Sequence, residues 1–252
     1  MTNSAIIIIG ASSAIAKAFI SEQHKRYPQH PIITISRSAL EDLSEYDDAC
    51  QSESFKAFHE HIVCDNSPVE ITKTVKTIAA QITNAQSVTI FNGQLHNAHF
   101  KPEKRLEDIH SDYLQWLFQV NTITPLLWLK YIGEHLGHSS KCVLTCLSAR
   151  VASIDDNSLG GWYGYRASKA ALNMAVKTFA IELARRAKHC KCVLFHPGTT
   201  DTPLSKPFQK NVPNGKLFDP QFVAGQLSDL LTQRVINGQV DYIDWQGKAI
   251  NW

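Results

Sequence analysis

No apolar run in this sequence approaches the length needed to cross a bilayer as a helix, so a helical membrane protein is not expected. The run Ala5-Ile6-Ile7-Ile8-Ile9 reads as a buried strand. The four residues before it carry no basic group, so no secretory leader is expected and the cytoplasm is the expected location. Charge of one sign is also missing. The formal net charge is +2 and no basic stripe dominates any segment, which argues against a nucleic-acid partner. The cluster Arg185-Arg186-Ala187-Lys188 reads instead as the cationic last turn of a helix, opposing its macrodipole. Six cysteines occur, but no Cys-x-x-Cys and no Cys/His pair at zinc spacing, so neither a metal site nor a disulfide framework is expected. Linkers rich in Gly, Pro or Ser are absent, as are internal repeats. Residues 1–252 therefore read as one domain.

What the chain does have is a regular alternation of strand-like and helix-like segments. Strands are expected at Ala5–Ile9, Ile32–Ile35, His61–Cys64, Ser87–Phe91, Cys142–Leu147, Cys192–Phe195 and Tyr242–Asp244. Helices are expected over Ala14–Lys25, from Pro68 to about Ile82, over Ala170–Arg186, and from Pro220 to about Val235. A periodic apolar region covers Leu106–Leu136, with a kink or break at Pro125. The stretch Glu41–Glu53 reads as a mobile connection, with room for a short helix. Strands rich in Val and Ile and separated by helices imply parallel βαβ units covered on both faces. The expected fold class is α/β: a single Rossmann-type, doubly wound parallel sheet of about seven strands, with its site beyond the carboxyl ends of the strands.

Several residues stand at those ends. The first strand runs into Gly10-Ala11-Ser12-Ser13-Ala14-Ile15-Ala16. Such a small-residue turn can set backbone N–H groups and a helix dipole against a pyrophosphate. A dinucleotide fingerprint would have Gly where Ala14 and Ala16 stand, and a plain helix entry capped by Ser12 or Ser13 gives the same pattern. After the second strand comes Ser36-Arg37-Ser38, with no acidic residue to bind ribose hydroxyls. A cation there suits a 2′-phosphate, or is simply an exposed Arg. Asn92-Gly93 follows the fourth strand, where Gly permits close approach of a ligand. Asn121 sits before Pro125 and either caps a break or serves a site; Ser148 follows the fifth strand. Tyr165 and Lys169 are four apart, so on a helix they share a face. A phenol holds its proton to about pH 10, and a nearby ammonium favours the phenolate, which makes the pair a candidate acid/base device.

The order of these features resembles the short-chain dehydrogenase/reductase family over nearly the whole chain. It rests on the turn at Gly10, Asn92-Gly93, Asn121, Ser148, Tyr165-x-x-x-Lys169 and Pro197-Gly198. Within that family the chain is most similar to a C-factor-like branch, through Ser148-Ala149-Arg150, Gly160-Gly161-Trp162-Tyr163, the segment Tyr165–Met174 and the ending Asp244–Trp252.

The resemblance implies hydride transfer between a nicotinamide and a carbonyl or alcohol. Tyr165 would exchange the proton, Lys169 would lower its pKa and bind the nicotinamide ribose, and Ser148 would orient the carbonyl oxygen. Asn121 would hold a water linking Lys169 to solvent. Gly10, Ser12 and Ile15 match the pyrophosphate turn, Arg37 the 2′-phosphate position and Asp65 the adenine contact. Asn92 and Gly93 match the motif facing the cofactor, and Pro197, Gly198 and Thr202 the segment near the carboxamide. NADP(H) is therefore expected in preference to NAD(H), with a small-molecule carbonyl or alcohol as substrate. Ala14 and Ala16 depart from the family pattern and imply altered cofactor affinity. A substrate loop is expected at about 200–217, closing over the site with Leu204 and Phe208, while His96, His99 and Trp162 could line the cavity. A homodimer or homotetramer is implied, with Tyr113, Leu117, Val120, Leu127, Trp128 and Tyr131 offering apolar surface that an internal core would explain equally well. The alternative function is a cofactor-binding sensor or signalling protein with little turnover.

Overall fold

The computed structural model describes residues 4–40, 43, 48–136 and 141–252. Residues 41, 42 and 44–47 of the expected mobile connection Glu41–Glu53 lie outside them, and its described part contains a 3-10 turn at Asp48–Gln51. Strands β1 (Ala5–Ile9), β2 (Ile32–Ser36), β3 (His59–Val63), β4 (Ala85–Ile90), β5 (Cys142–Leu147) and β6 (Cys190–His196) alternate with helices. Two short strands, β7 (Thr199–Thr200) and β8 (Leu217–Phe218), precede the last strand, β9 (Val240–Asp244). The main sheet has seven strands in the order β3-β2-β1-β4-β5-β6-β9, all parallel. The order reverses between β1 and β4, and the crevice beyond their carboxyl ends is where a doubly wound sheet takes its ligand.

The periodicity of two along β1 explains why both faces are filled. Ile7 and Ile9 point into one core layer, with Val75, Trp128, Leu172 and Val176. Ile6 and Ile8 point into the other, with Phe19, Phe91, Val223 and Leu227. Each Ile is fully buried, contributing about 1.5–3 kcal/mol. The first layer belongs to helices α3 (Pro68–Thr77), the short α4 (Ala79–Thr83), α6 (Thr124–Gly133) and α7 (Tyr163–Arg186), and the second to α1 (Ala14–Arg26), the short α2 (Glu53–Phe58) and α8 (Pro220–Thr232). The six cysteines are all buried and none is in a disulfide, and the described residues contain no group of His, Cys, Asp and Glu able to hold a metal. No described helix is long and apolar enough to cross a membrane.

Several boundaries differ from expectation for local reasons. The helix from Pro68 breaks at Ile78, whose ψ of 19° leaves the helical range, and restarts as a short turn at Ala79–Thr83. The helix carrying Lys169 begins at Tyr163, so Tyr165 lies in its first turn. Leu106–Leu136 divides into α5 (Ser111–Phe118), a wider π-helical turn at Gln119–Ile123, and α6. Pro125 has no N–H to give the carbonyl of Asn121 four residues earlier, which accounts for the loosened turn there. Tyr113, Leu117 and Trp128, offered above as association surface, are instead fully buried in the chain's own core.

Candidate active site

Six strand ends deliver the expected residues to one place. Gly10 follows β1, Arg37 follows β2, Asp65 follows β3, Asn92 and Gly93 follow β4, Ser148 follows β5, and Pro197 and Gly198 follow β6. Together with Ser12, Ile15, Thr202, Tyr165 and Lys169 they line one cavity of about 860 Å3. Asn121 does not line it.

At the β1 end, Gly10 adopts φ +78°, and a Cβ there would come within 3.1 Å of the Asn92 nitrogen. Glycine is required on both counts. Ser13, not Ser12, caps α1 by accepting from the Ala16 N–H at 3.2 Å. Ser12, Ala14 and Ile15 face the cavity at the start of α1, where first-turn N–H groups lack intrahelical partners. Ala16 faces away and is fully buried against the sheet.

Arg37 is exposed and makes no ion pair among the described residues. Its turn is pinned from below. Ser36 Oγ donates to the Ser38 carbonyl at 2.7 Å, and His61 Nε2 lies 3.0 Å from the same oxygen. The Asp65 carboxylate accepts from the Ser67 N–H at 2.7 Å, which holds it below the usual carboxylate range.

Ser148, Tyr165 and Lys169 converge at the opposite end. The Lys169 ammonium is buried and donates to the carbonyls of Leu147 at 2.8 Å and Asn92 at 3.3 Å. A Cβ on Gly93 would lie 3.0 Å from Lys169 Nζ, so glycine there leaves room for the lysine. Burial pulls Lys169 down to about 8. Burial, with a smaller push from Tyr242, raises the Tyr165 phenol above its ordinary value. Burial of the phenol therefore opposes the lowering expected from Lys169. Ser148 Oγ donates to Asn173 Oδ1 at 2.6 Å.

The Asn121 side chain is engaged by the backbone at Gln94 and by Ser168. Its Oδ1 accepts from the Gln94 N–H at 2.7 Å, and its Nδ2 donates to the Gln94 carbonyl at 2.9 Å and to Ser168 Oγ at 3.1 Å. The side chain thus ties the segment after β4 to the helix of Tyr165.

The substrate end is aromatic. Trp162 adopts φ +53°, a left-handed conformation that costs a side-chain-bearing residue roughly 1–2 kcal/mol. Its ring packs edge-on against Tyr165 and Phe208, with centroids 6.2 and 5.1 Å away. His96 packs against Phe208 at 5.6 Å and reaches the Leu204 carbonyl at 3.1 Å. His99 is exposed and lies outside the cavity. The loop at 200–217 is bracketed by the parallel pairing of β7 with β8 and contains a 3-10 turn at Lys206–Asn211. Gly198 precedes it at φ +74°, where a Cβ would come within 2.6 Å of Phe218.

Sequence reasoning missed Asn173, Tyr242 and His196. The last lines the cavity with Nδ1 buried and unpartnered, and desolvation pulls it down to about 4. Asn173 had a legible signal: it continues the spacing of Tyr165 and Lys169 by one more helical turn.

Comparison with known proteins agrees with this geometry. Residues 4–213 match the family described as short chain dehydrogenase. The chain is 24% identical over 251 residues to a benzil reductase ((S)-benzoin forming) of Bacillus subtilis, covering 93% of this chain and 96% of that one. It is 31% identical over 140 residues to the C-signal of Myxococcus xanthus, covering 54% and 76%. A 1-hydroxy-2-glutathionyl-2-methyl-3-butene dehydrogenase of Rhodococcus sp. strain AD45 shares 34% identity over 97 residues, 38% of this chain and 41% of that one. Among solved structures, an NADPH-bound carbonyl reductase from chicken fatty liver superposes with a TM-score of 0.79 at 17% identity, over 100% of both chains. With the match across residues 4–213 and the seven-stranded sheet, this chain belongs to the short-chain dehydrogenase family of oxidoreductases.

Proposed function

We propose that the protein is an NADP(H)-dependent carbonyl reductase acting on an apolar, aromatic ketone or the corresponding alcohol. The observation that carries this is the convergence of Ser148, Tyr165 and Lys169 at one end of a cavity whose other end is Arg37.

The residues present fit a dinucleotide. Gly10 gives a backbone cradle that a Cβ would fill, and Asn92 Oδ1 is buried without a partner beside it. Gly10, Ser12 and Ile15 would hold the pyrophosphate, Arg37 the 2′-phosphate and Asp65 the adenine. Asn92 and Gly93 would flank the nicotinamide ribose, and Pro197, Gly198 and Thr202 would support the carboxamide. When bound, the cofactor supplies or accepts the hydride. Tyr165 gives the proton to the oxygen of the carbonyl as negative charge develops there, and takes it back in the oxidative direction. Lys169 stabilises the tyrosinate left behind, and Ser148 orients the substrate oxygen. Asn121 keeps Gln94 and the Tyr165 helix in register. Trp162, Phe208, His96 and Leu204 shape the substrate end and exclude water. The similarity to a benzil reductase supports an aromatic carbonyl.

A second reading, a cofactor sensor with little turnover, draws on Ala14, whose methyl faces the cavity where the family has Gly, and on the similarity to C-signal. The test is a panel of aromatic ketones and diketones with NADPH, comparing wild type with Tyr165→Phe. Turnover that the variant loses supports the reductase. Tight NADPH binding with equal background rates in both proteins supports the sensor. We further place the protein in the cytoplasm as a dimer or tetramer, associating through exposed Ile123, Leu126, Met174 and Ile181 on the helices flanking the site.

A further inference from the structure

Behind Ser148 lies a buried polar chain that the reaction outlined above does not use. Ser148 Oγ donates to Asn173 Oδ1 at 2.6 Å. Asn173 stands on α7 one turn beyond Lys169 and two beyond Tyr165, on the same helical face. Tyr242, from β9, donates its one proton to the Ala149 carbonyl at 2.7 Å. The Tyr242 phenol also sits beside the Asn173 amide and the Ser148 hydroxyl. All three side chains are at most 5% exposed.

The donor inventory fixes the direction of this chain. An amide presents an acceptor oxygen and a donor NH2. Tyr242 has spent its proton on Ala149, so toward Asn173 its oxygen can only accept. The NH2 of Asn173 therefore faces Tyr242, and its oxygen faces Ser148. Ser148 has a single proton, and Asn173 takes it.

The geometry points to Asn173, oriented by Tyr242, as a positioning residue that holds the Ser148 proton away from the cavity until the substrate oxygen competes for it. A neutral ketone oxygen competes weakly with a neutral amide oxygen. An oxygen gaining negative charge competes strongly, since hydrogen bonds to charged acceptors are about twice as strong. Handing the proton over breaks the Ser148–Asn173 bond, so the net gain is only the excess of the charged bond over the amide bond; what Asn173 supplies is a fixed Oγ position from which that bond forms without reorganisation. This inference rests on the reductase reading.

The test is a double-mutant cycle on Ser148 and Asn173, with Tyr242→Phe as a second route. Asn173→Leu should lower kcat about tenfold, the equivalent of roughly one hydrogen bond, with KM for the ketone unchanged or lower. Asn173→Asp, which keeps the acceptor, should restore part of kcat. In a Ser148→Ala background, Asn173→Leu should cost nothing further, because it acts only through Ser148. Tyr242→Phe should show the same dependence with a smaller loss, and it decides the matter should Asn173→Leu not fold. Losses that multiply in the double variants would overturn the inference while leaving the reductase reading intact. A readout independent of turnover is the side-chain amide NMR resonance of Asn173. It should move in both Ser148→Ala and Tyr242→Phe. An unmoved resonance sinks the proposal even where no ketone is reduced.

Discussion

Lys169 Nζ donates to the Leu147 carbonyl at 2.8 Å, so the ammonium of α7 closes the carboxyl end of β5 one residue before Ser148. That single bond sets the spacing between the two chemical elements of the site. It also explains how a charged group is tolerated at 2% exposure: two backbone carbonyls replace water.

Replacing Lys169 tests this. Lys169→Met should abolish most turnover, because nothing then stabilises the tyrosinate. Its effect on stability depends on pH. In the folded protein Lys169 titrates near 8, against 10.5 for the free group. The unfolded chain therefore binds the proton more tightly. The stability this lysine contributes is fully present above about pH 10.5 and is lost as pH falls to about 8. Wild type should accordingly gain on Lys169→Met between pH 8 and 10.5, by at most on the order of 3 kcal/mol. Denaturant titrations of both proteins at the two ends of that range measure the difference. A gap that does not change with pH contradicts the buried, depressed lysine.

Cofactor choice should depend on Arg37. With no ion pair to give up among the described residues, its guanidinium is free for a phosphate, and such charge-assisted pairs are worth about 1.5–3 kcal/mol. Arg37→Ala should weaken NADPH binding by roughly tenfold to a hundredfold and leave NADH binding nearly unchanged. His61→Ala should act in the same direction but less, since His61 reaches the Arg37 turn only indirectly, through the Ser38 carbonyl and Ser36, and also meets Thr34 Oγ1 at 2.9 Å. Fluorescence titration with each nucleotide reads both. Equal losses for NADPH and NADH would mean that Arg37 supports the fold and not the 2′-phosphate.

Much of the site was legible because it is written in local spacing. Tyr165 and Lys169 lie one helical turn apart, and Gly10, Asn92 and Ser148 each follow a run of apolar strand residues. The sheet was legible for the same reason, since β1, β2, β5 and β6 are dominated by apolar residues, although β3 (His59-Glu60-His61-Ile62-Val63) is not. What the sequence hid depends on contacts between distant segments. Tyr242 meets Ala149 across 93 positions. Asn121 looked like a helix defect, yet it is explained by Gln94, a residue with no motif of its own. The π-helical turn was visible only as Pro125, because a proline announces a break without saying which helical form relieves it. The lysine beside the Tyr165 phenol was visible in sequence, whereas the burial that opposes its effect was not. The small β7 and β8 strands have two residues each, too short for any period to register.

Tyr165 is held in place through the start of its helix. Trp162, the residue before α7, caps nothing with its side chain. The missing cap comes from Glu103, whose Oε1 accepts from the Gly164 N–H at 3.1 Å and whose carbonyl accepts from the Trp162 N–H at 2.6 Å. Glu103 is 1% exposed, so its carboxylate at the positive end of the helix is largely shielded from screening by water. Gly164 must stay small for this contact: a Cβ there would lie 2.7 Å from Leu117 Cδ1 and 2.9 Å from Glu103 Oε1. Glu103→Ala should cost about 1–3 kcal/mol in stability, the penalty for orphaning a buried donor. Glu103→Gln keeps the acceptor and loses only the charge–dipole part, so it should cost less, about 0.3–2 kcal/mol. In both variants kcat should fall further than residual folding explains, because Tyr165 sits one residue beyond the capped Gly164. Thermal melts and kcat on the same preparations separate the two effects. Activity that tracks only the folded fraction would show that Glu103 secures the helix without placing the tyrosine.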